Sequence, residues 1–236
     1  MKEEFLRTAA LIGEDGLLRL SESAVAVFGI GGVGSYAAEA LARSGVGTLY
    51  LYDNDRVAKS NINRQLIALS STLGRYKTEA AAERCRDINP GCNIIEKREF
   101  VTPESEIPFE SFDFIIDAVD NVTAKLFLAA EAEKKGIPII SVMGTGNKLD
   151  PTRLKISDIY ETEVCPLARI MRRELKKRGV KRLEAVWSDE IPLKPCCCGE
   201  YRETGRIPPA SMAMVPGAAG LAAAAAAIKK LTEEAD

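Results

Sequence analysis

Gly29, Gly31, Gly32 and Gly34 spell G-x-G-G-x-G. Without side chains the backbone can approach a phosphate, and a helix opening behind the glycines would add free N–H groups and partial positive charge. Asp53 follows 19 residues after Gly34, where a strand-end carboxylate can accept ribose hydroxyls. These two features mean an adenine nucleotide, or a tight turn with a capping Asp. The next segment, DNDRVAKSNINRQ at 53–65, concentrates Asp55, Asn61, Asn63, Arg64 and Gln65, and Lys77 comes 13 residues after Arg64. Dinucleotide binding does not require such a cluster. Charge developing on a triphosphate during attack at phosphorus does, through Arg and Lys donors. The bland alternative is a solvated polar loop. Asp120 and Asn121 follow shortly after Asp117. A carboxylate there suits a magnesium ion bridging phosphates, and Asp120 equally suits the N-cap of a helix beginning at 122.

The chain of 236 residues has no histidine. That excludes Ser-His-Asp and Cys-His nucleophiles, histidine metal ligands and an imidazole base, so acid–base work falls to carboxylates, Lys, Tyr, Cys or the substrate. Six cysteines stand at 85, 92, 165 and 196–198. This irregular spacing fits a reducing cytoplasm. Cys196, Cys197 and Cys198 are adjacent and cannot form paired C-x-x-C knuckles, so no structural zinc of that kind is expected. The triplet reads as an exposed loop run, or as a redox-sensitive or opportunistic metal site.

The formal charge of −2 is not that of a globally basic nucleic-acid binder. Residues 169–182, RIMRRELKKRGVKR, nevertheless hold eight basic residues and one Glu. Arg169, Arg172, Arg173 and Lys176 recur at i, i+3, i+4, i+7, which places them on one helix face, and Lys177, Arg178, Lys181 and Arg182 extend the field. Such a strip suits a phosphate backbone, which needs no sequence readout. The alternative is a solvated amphipathic helix.

The elements that must position these residues follow from periodicity. Residues 24–30, 48–52, 92–98, 112–116 and 137–142 read as strands, and 33–44, 76–88 and 122–135 as the helices between them. The alternation predicts an α/β, Rossmann-like, doubly wound and mostly parallel sheet with a C-terminal extension. After Gly146 the pattern weakens: a basic helix over 164–178, a Pro/Cys/Gly-rich loop over 188–210, and an Ala-rich helix over 217–231. With no repeat and no linker, one domain over 1–236 is preferred, residues 1–146 forming its nucleotide-binding core. Residues 210–228 are long enough to cross a bilayer, but six consecutive Ala give little insertion drive and Pro216 and Gly217 interrupt the run. A buried helix is the favoured reading and peripheral membrane contact the other. The charged N-terminus has no signal-peptide pattern.

The motifs G-I-G-G-V-G (29–34), D-N-D (53–55), S-N-I-N-R-Q (60–65), Lys77 and D-N (120–121), in this order and spacing, resemble the ubiquitin-activating-enzyme-like adenylating superfamily over about residues 5–145. The resemblance implies that the glycine loop and Lys77 hold ATP, that Asp53 contacts ribose and that Asp120 helps bind magnesium. It also implies that Arg7, within F-L-R-T, reaches the phosphates of a neighbouring subunit in a homodimer. Within the superfamily the chain is most similar to the tRNA threonylcarbamoyladenosine dehydratase branch. That similarity rests on V-F-G-I-G-G-V-G-S-Y (27–36), residues 165–180, V-W-S-D-E (186–190) and S-M-A-M-V-P-G-A-A-G (211–220). It implies ATP-driven activation of a threonyl carboxylate on tRNA, with catalytic Arg7, Arg64, Lys77 and Asp120. It leaves open a cysteine desulfurase or a sulfur carrier as accessory partner.

Three other readings stand beside it. Adenylation of a ubiquitin-like sulfur carrier would fit the same loop, against the missing C-x-x-C pairs and the basic strip. An NAD-linked oxidoreductase would need an acid–base group other than His. A nucleotide-gated binding module would not need Arg64, Lys77 and Asp120 together.

Overall fold

The computed structural model describes residues 3–194 and 209–233, so the cysteine triplet at 196–198 lies outside the described residues. The apolar, β-branched runs become strands β1 (Ala24–Phe28), β2 (Thr48–Tyr52), β3 (Asn93–Lys97), β4 (Phe114–Asp117) and β5 (Ile139–Val142). All of these pair in parallel. Two further strands, β6 (Leu154–Asp158) and β7 (Glu184–Ser188), extend the same sheet, giving the order β3-β2-β1-β4-β5-β7-β6. Strand β7 runs parallel to β5, and β6 closes the edge antiparallel to β7. The sheet is therefore α/β and mostly parallel, as the alternation predicts.

The order reverses between β1 and β4. An open parallel sheet parts its connections at such a point and leaves a crevice beyond the strands' C-terminal ends. The glycine loop leaves β1 there and the Asp120 turn leaves β4 beside it. Helices α2 (Gly34–Ser44), α3 (Lys77–Ile88) and α4 (Val122–Lys135) fall within a residue of the expected bounds. Helix α5 (Pro166–Lys177) is the basic segment and packs Ala168, Met171 and Leu175 inward beside Leu126 and Ala129 of α4.

The N-terminal residues form a helix that the charged sequence did not announce, α1 (Leu6–Glu22), kinked at Gly13, where φ is 79°. Helix α6 (Met214–Thr232) starts three residues before the expected position. It is the one described helix long and apolar enough to span a bilayer. Its small-residue face is used inside the protein, however. Gly217 lies against the Tyr36 ring, Gly220 against the Val33 carbonyl, and Ala219, Ala223, Ala224 and Ala227 are buried in the main core. On the other face of the sheet Phe28 stacks on Tyr52 at 4.3 Å and both meet Phe112 edge-on. This aromatic layer stiffens the two strand ends that carry Gly29 and Asp53.

Candidate functional site

The site is built from the strand ends upward. Gly29 has φ 87°, a conformation glycine adopts without strain, and a Cβ there would sit 2.8 Å from the Ala118 carbonyl oxygen. A Cβ on Gly34 would run into the Gly29 carbonyl. These two glycines let β1 turn sharply into α2. Gly31 and Gly32 serve differently, since nothing crowds them closer than 3.4 Å. The N–H groups of Gly31, Gly32 and Val33 donate to no acceptor among the described residues. Three unpaired donors at the start of a helix are a receptor for an anion.

Asp53 ends β2 and faces this loop. Its Oδ2 accepts the Ile30 N–H at 2.7 Å and its Oδ1 the Asp55 N–H at 2.8 Å. Burial pushes the Asp53 carboxyl above its ordinary value, against the pull of Lys77 and of the two N–H donors. Lys77, buried at the start of α3, donates to Asp55 Oδ2 at 2.6 Å and lies 3.8 Å from Asp53 Oδ1. A buried ammonium held by an exposed carboxylate can turn from that carboxylate to a phosphate without losing charge compensation.

The polar segment closes the other side. Gln65 is buried next to Gly31, and its Oε1 has no partner. A buried amide oxygen without a donor is a place for a ligand hydroxyl or amine. Arg64 packs its stem on Gly32 and donates to Ser60 O at 2.8 Å and Asn63 Oδ1 at 3.0 Å. Asn63 donates to Ser211 O at 2.8 Å, which ties this segment to the start of α6. Asn61 turns out to spend its Oδ1 locally, on the Ala58 N–H at 3.0 Å.

Across the crevice, Asn121 is the N-cap of α4: its Oδ1 accepts the Ala124 N–H at 3.1 Å. The capping role considered for Asp120 thus belongs to its neighbour, because Asn121 is the residue with extended backbone immediately before the first turn. Asp120 is exposed and its carboxylate has no partner among the described residues. One carboxylate plus phosphate oxygens and water is a common magnesium coordination set, and no cluster of three His, Cys, Asp or Glu suited to a metal occurs among the described residues. The residues present fit magnesium arriving with a nucleotide, with Asp120 as its protein ligand.

Arg7 is not brought to this site. It is exposed on the first turn of α1, and Phe5 just before it packs near Gly45, at the far end of α2 from the glycine loop. Eleven residues of α2 put about 16 Å between those ends.

The basic strip is only partly free. Glu174 binds Arg173 at 2.9 Å, Lys177 at 2.9 Å and Arg178 at 3.5 Å. Lys177 and Arg173 hold the Glu174 carboxyl down at about 2. Arg172 departs from the expected common face. It lies half-buried and donates to Thr162 O at 2.7 Å and Thr162 Oγ1 at 2.5 Å, because position 172 follows the buried Met171 around the helix. Arg169 and Lys176 remain exposed with no ion pair among the described residues. The first turn of α5 lies beside the loop that follows β5, with Cys165 Sγ 3.6 Å from where a Gly144 Cβ would stand.

The described cysteines are buried free thiols. Burial pushes Cys85 up to about 12 and Cys92 up to about 11, which removes both as nucleophiles near neutral pH.

The ThiF family pattern matches residues 5–236. The chain is 44% identical over 232 residues to the tRNA threonylcarbamoyladenosine dehydratase of Bacillus subtilis (strain 168), covering 94% of this chain and 91% of that one. It is 38% identical over 204 residues to the Escherichia coli (strain K12) enzyme of the same name, covering 82% and 76%. The crystal structure of E. coli tRNA N6-threonylcarbamoyladenosine dehydratase, TcdA, in complex with ATP is similar over 97% of this chain and 93% of that one, with TM-score 0.88 and 36% identity.

Proposed function

The chain belongs to the ThiF family, and from that membership we propose that it is an ATP-dependent tRNA threonylcarbamoyladenosine dehydratase. The observation that carries the reading is the trio of unpaired N–H groups at Gly31, Gly32 and Val33. They open on the switch point between buried Lys77 and unpaired Asp120. Two bacterial proteins 44% and 38% identical to this chain carry that name, and an E. coli structure similar to this one was solved with ATP.

ATP binds with its phosphates on the glycine-loop N–H groups and its ribose toward Asp53. Lys77 and Arg64 meet the negative charge that grows on the phosphates. Asp120 would hold a magnesium ion arriving with the nucleotide, which would neutralise part of that charge. The threonyl carboxylate of the modified adenosine attacks the α-phosphorus and pyrophosphate leaves. The carboxyl carbon of the resulting mixed anhydride is then attacked by an internal nucleophile of the substrate, which closes the ring, loses its proton and expels AMP. The oxygen lost from the carboxylate departs with AMP, so the nucleoside is lighter by one water. No imidazole is required, because adenylation has already made a good leaving group.

Two further parts belong to this reading. Arg7 acts in trans, from a second copy of the chain in a homodimer. Its place at the far end of α2, and the exposed Leu6 and Leu11 beside it, support that. Arg169 and Lys176, with the ion-paired Arg173 and Lys177, receive the tRNA backbone, so that the strip leads the modified base to the crevice. The chain acts as one adenylating unit in the cytoplasm.

The test mixes the protein with ATP, magnesium and tRNA bearing threonylcarbamoyladenosine. AMP and a cyclised nucleoside lighter by one water are expected in equal amounts. ATP turnover that depends instead on a small protein ending in Gly-Gly would move the chain to sulfur-carrier activation.

A further inference from the structure

Helix α4 carries a lysine where its apolar face should be. Lys125, on the side of α4 that buries Ala124, Leu128 and Ala132, is fully buried. Its ammonium donates to Asp117 Oδ2 at 3.0 Å, Ser141 Oγ at 3.2 Å and the Asp117 carbonyl at 3.4 Å. Ser141 Oγ also donates to Asp117 Oδ2, at 2.5 Å. Asp117 and Ser141 are fully buried too. All three ammonium hydrogens and one carboxylate oxygen are thus accounted for. The remaining oxygen, Asp117 Oδ1, accepts the Val119 N–H at 3.2 Å.

A buried ion pair is weak evidence for stability, since desolvation offsets most of the attraction and an apolar replacement is often as stable. Its geometry is what the molecule keeps. This pair joins the end of β4, the end of β5 and the first turns of α4. Between them runs the turn 117–121. Ala118 and Val119 in that turn are the atoms a Cβ on Gly29 would strike, at 2.8–3.0 Å. The Ala118 N–H donates to Phe28 O at 2.8 Å. One face of the turn therefore rests on the glycine loop, the other hangs from Asp117, and Asp120 projects from its end.

We propose that Lys125 is a positioning residue which, through Asp117 and Ser141, fixes the 117–121 turn against the glycine loop and so sets the place of Asp120 relative to the phosphates. The proposal rests on the reading of Asp120 as the carboxylate that meets magnesium.

The test uses full-length Lys125→Met/Asp117→Asn, which removes both charges at nearly constant volume, and Ser141→Ala, which removes one donor. Amide hydrogen exchange across 117–121 is measured without nucleotide, and substrate-dependent AMP formation is measured against magnesium concentration. For the double variant we expect exchange at Val119 and Asp120 to rise at least 10-fold while α2 keeps its protection. Half-saturating magnesium should rise at least 10-fold and kcat should fall, with KM for tRNA unchanged. Ser141→Ala should shift the same quantities in the same direction by at least 3-fold. It decides alone if the double variant fails to fold. Wild-type exchange at 117–121, or an unmoved magnesium dependence in a folded variant, overturns the proposal. A wild-type protein that forms no AMP sinks the functional reading instead, and the exchange measurement still decides the clamp.

Discussion

Asp53 Oδ2 accepts the Ile30 N–H at 2.7 Å, so the end of β2 is bonded to the first turn of the glycine loop. The carboxylate expected to meet ribose also holds the glycine loop in shape. Asp53→Ala should therefore weaken ATP more than the loss of one ribose contact would. A charge-assisted bond is worth about 1.5–3 kcal/mol, roughly 10- to 100-fold in Kd, and isothermal titration should show at least the upper half of that range. A pH signature follows. Burial raises this carboxyl, so its contribution to stability is fully present below the unfolded value and is lost as pH rises through the folded one. The stability of wild type relative to Asp53→Ala should fall as pH rises above the ordinary Asp value of about 3.9 in denaturant titrations without nucleotide.

Asp120 and Asn121 separate chemistry from capping. Asp120→Ala should leave the melting temperature within about 1 °C, as an exposed change of this kind costs under about 0.5 kcal/mol, and should abolish AMP formation. Asn121→Ala should do the reverse in part. Losing the bond to Ala124 costs about 1 kcal/mol, lowering the melting temperature by roughly 2–4 °C. If Asp120→Ala forms AMP at the wild-type rate, its role at magnesium is wrong.

The strands that hold the candidate site were legible in the sequence and the tail of the sheet was not, and the reasons are local. A buried parallel strand such as AVAVF announces itself, because both faces are apolar. Strand β6 is LKISD, an edge strand half in water, and β7 is EAVWS, whose five residues carry one charge and one serine. Neither has enough pattern to be told from a loop. Helix α1 was hidden by Gly13 and Gly16 inside its span. The face of α5 was misjudged at Arg172 because periodicity gives spacing and not the angle at which the apolar seam sits. Lys125 left one trace, a charge in the middle of an otherwise apolar helix side. Only the packed structure shows what it touches.

The partial neutralisation of the basic strip gives a gain-of-binding prediction. Glu174 stays ionised at any working pH, with its carboxyl held at about 2, and engages Arg173, Lys177 and Arg178. Glu174→Gln should free those cations, tightening tRNA and steepening the salt dependence of binding. Arg169→Glu with Lys176→Glu should do the opposite. Each lost phosphate contact takes about 0.7–0.9 from the slope of log K against log salt, so the slope should become shallower by roughly 1–2 in filter-binding titrations. Arg172→Ala should act through the fold, lowering the melting temperature as Thr162 loses its donor, with the salt slope unchanged. A steep salt effect there would return Arg172 to the RNA-facing side.

A close contact between helices α2 and α6 lies behind the glycine loop. A Cβ at Gly220 would run into the Val33 carbonyl and come within 3.1 Å of Tyr36 Cβ, whereas one at Gly217 would meet the Tyr36 ring at 3.2 Å. A backbone carbonyl at the start of α2 cannot rotate away, and a ring can shift. Gly220→Ala should therefore cost more than Gly217→Ala, at about 1–3 kcal/mol for forced overpacking. Val33 also supplies one of the unpaired N–H groups of the loop, so the displacement should reach the nucleotide: weaker ATP in Gly220→Ala, and near wild-type affinity in Gly217→Ala. Leu221→Ala, on the exposed side of α6, is the control for a general loss of helix packing. Equal losses of ATP affinity in all three would mean that α6 supports the fold as a whole and has no special hold on the glycine loop.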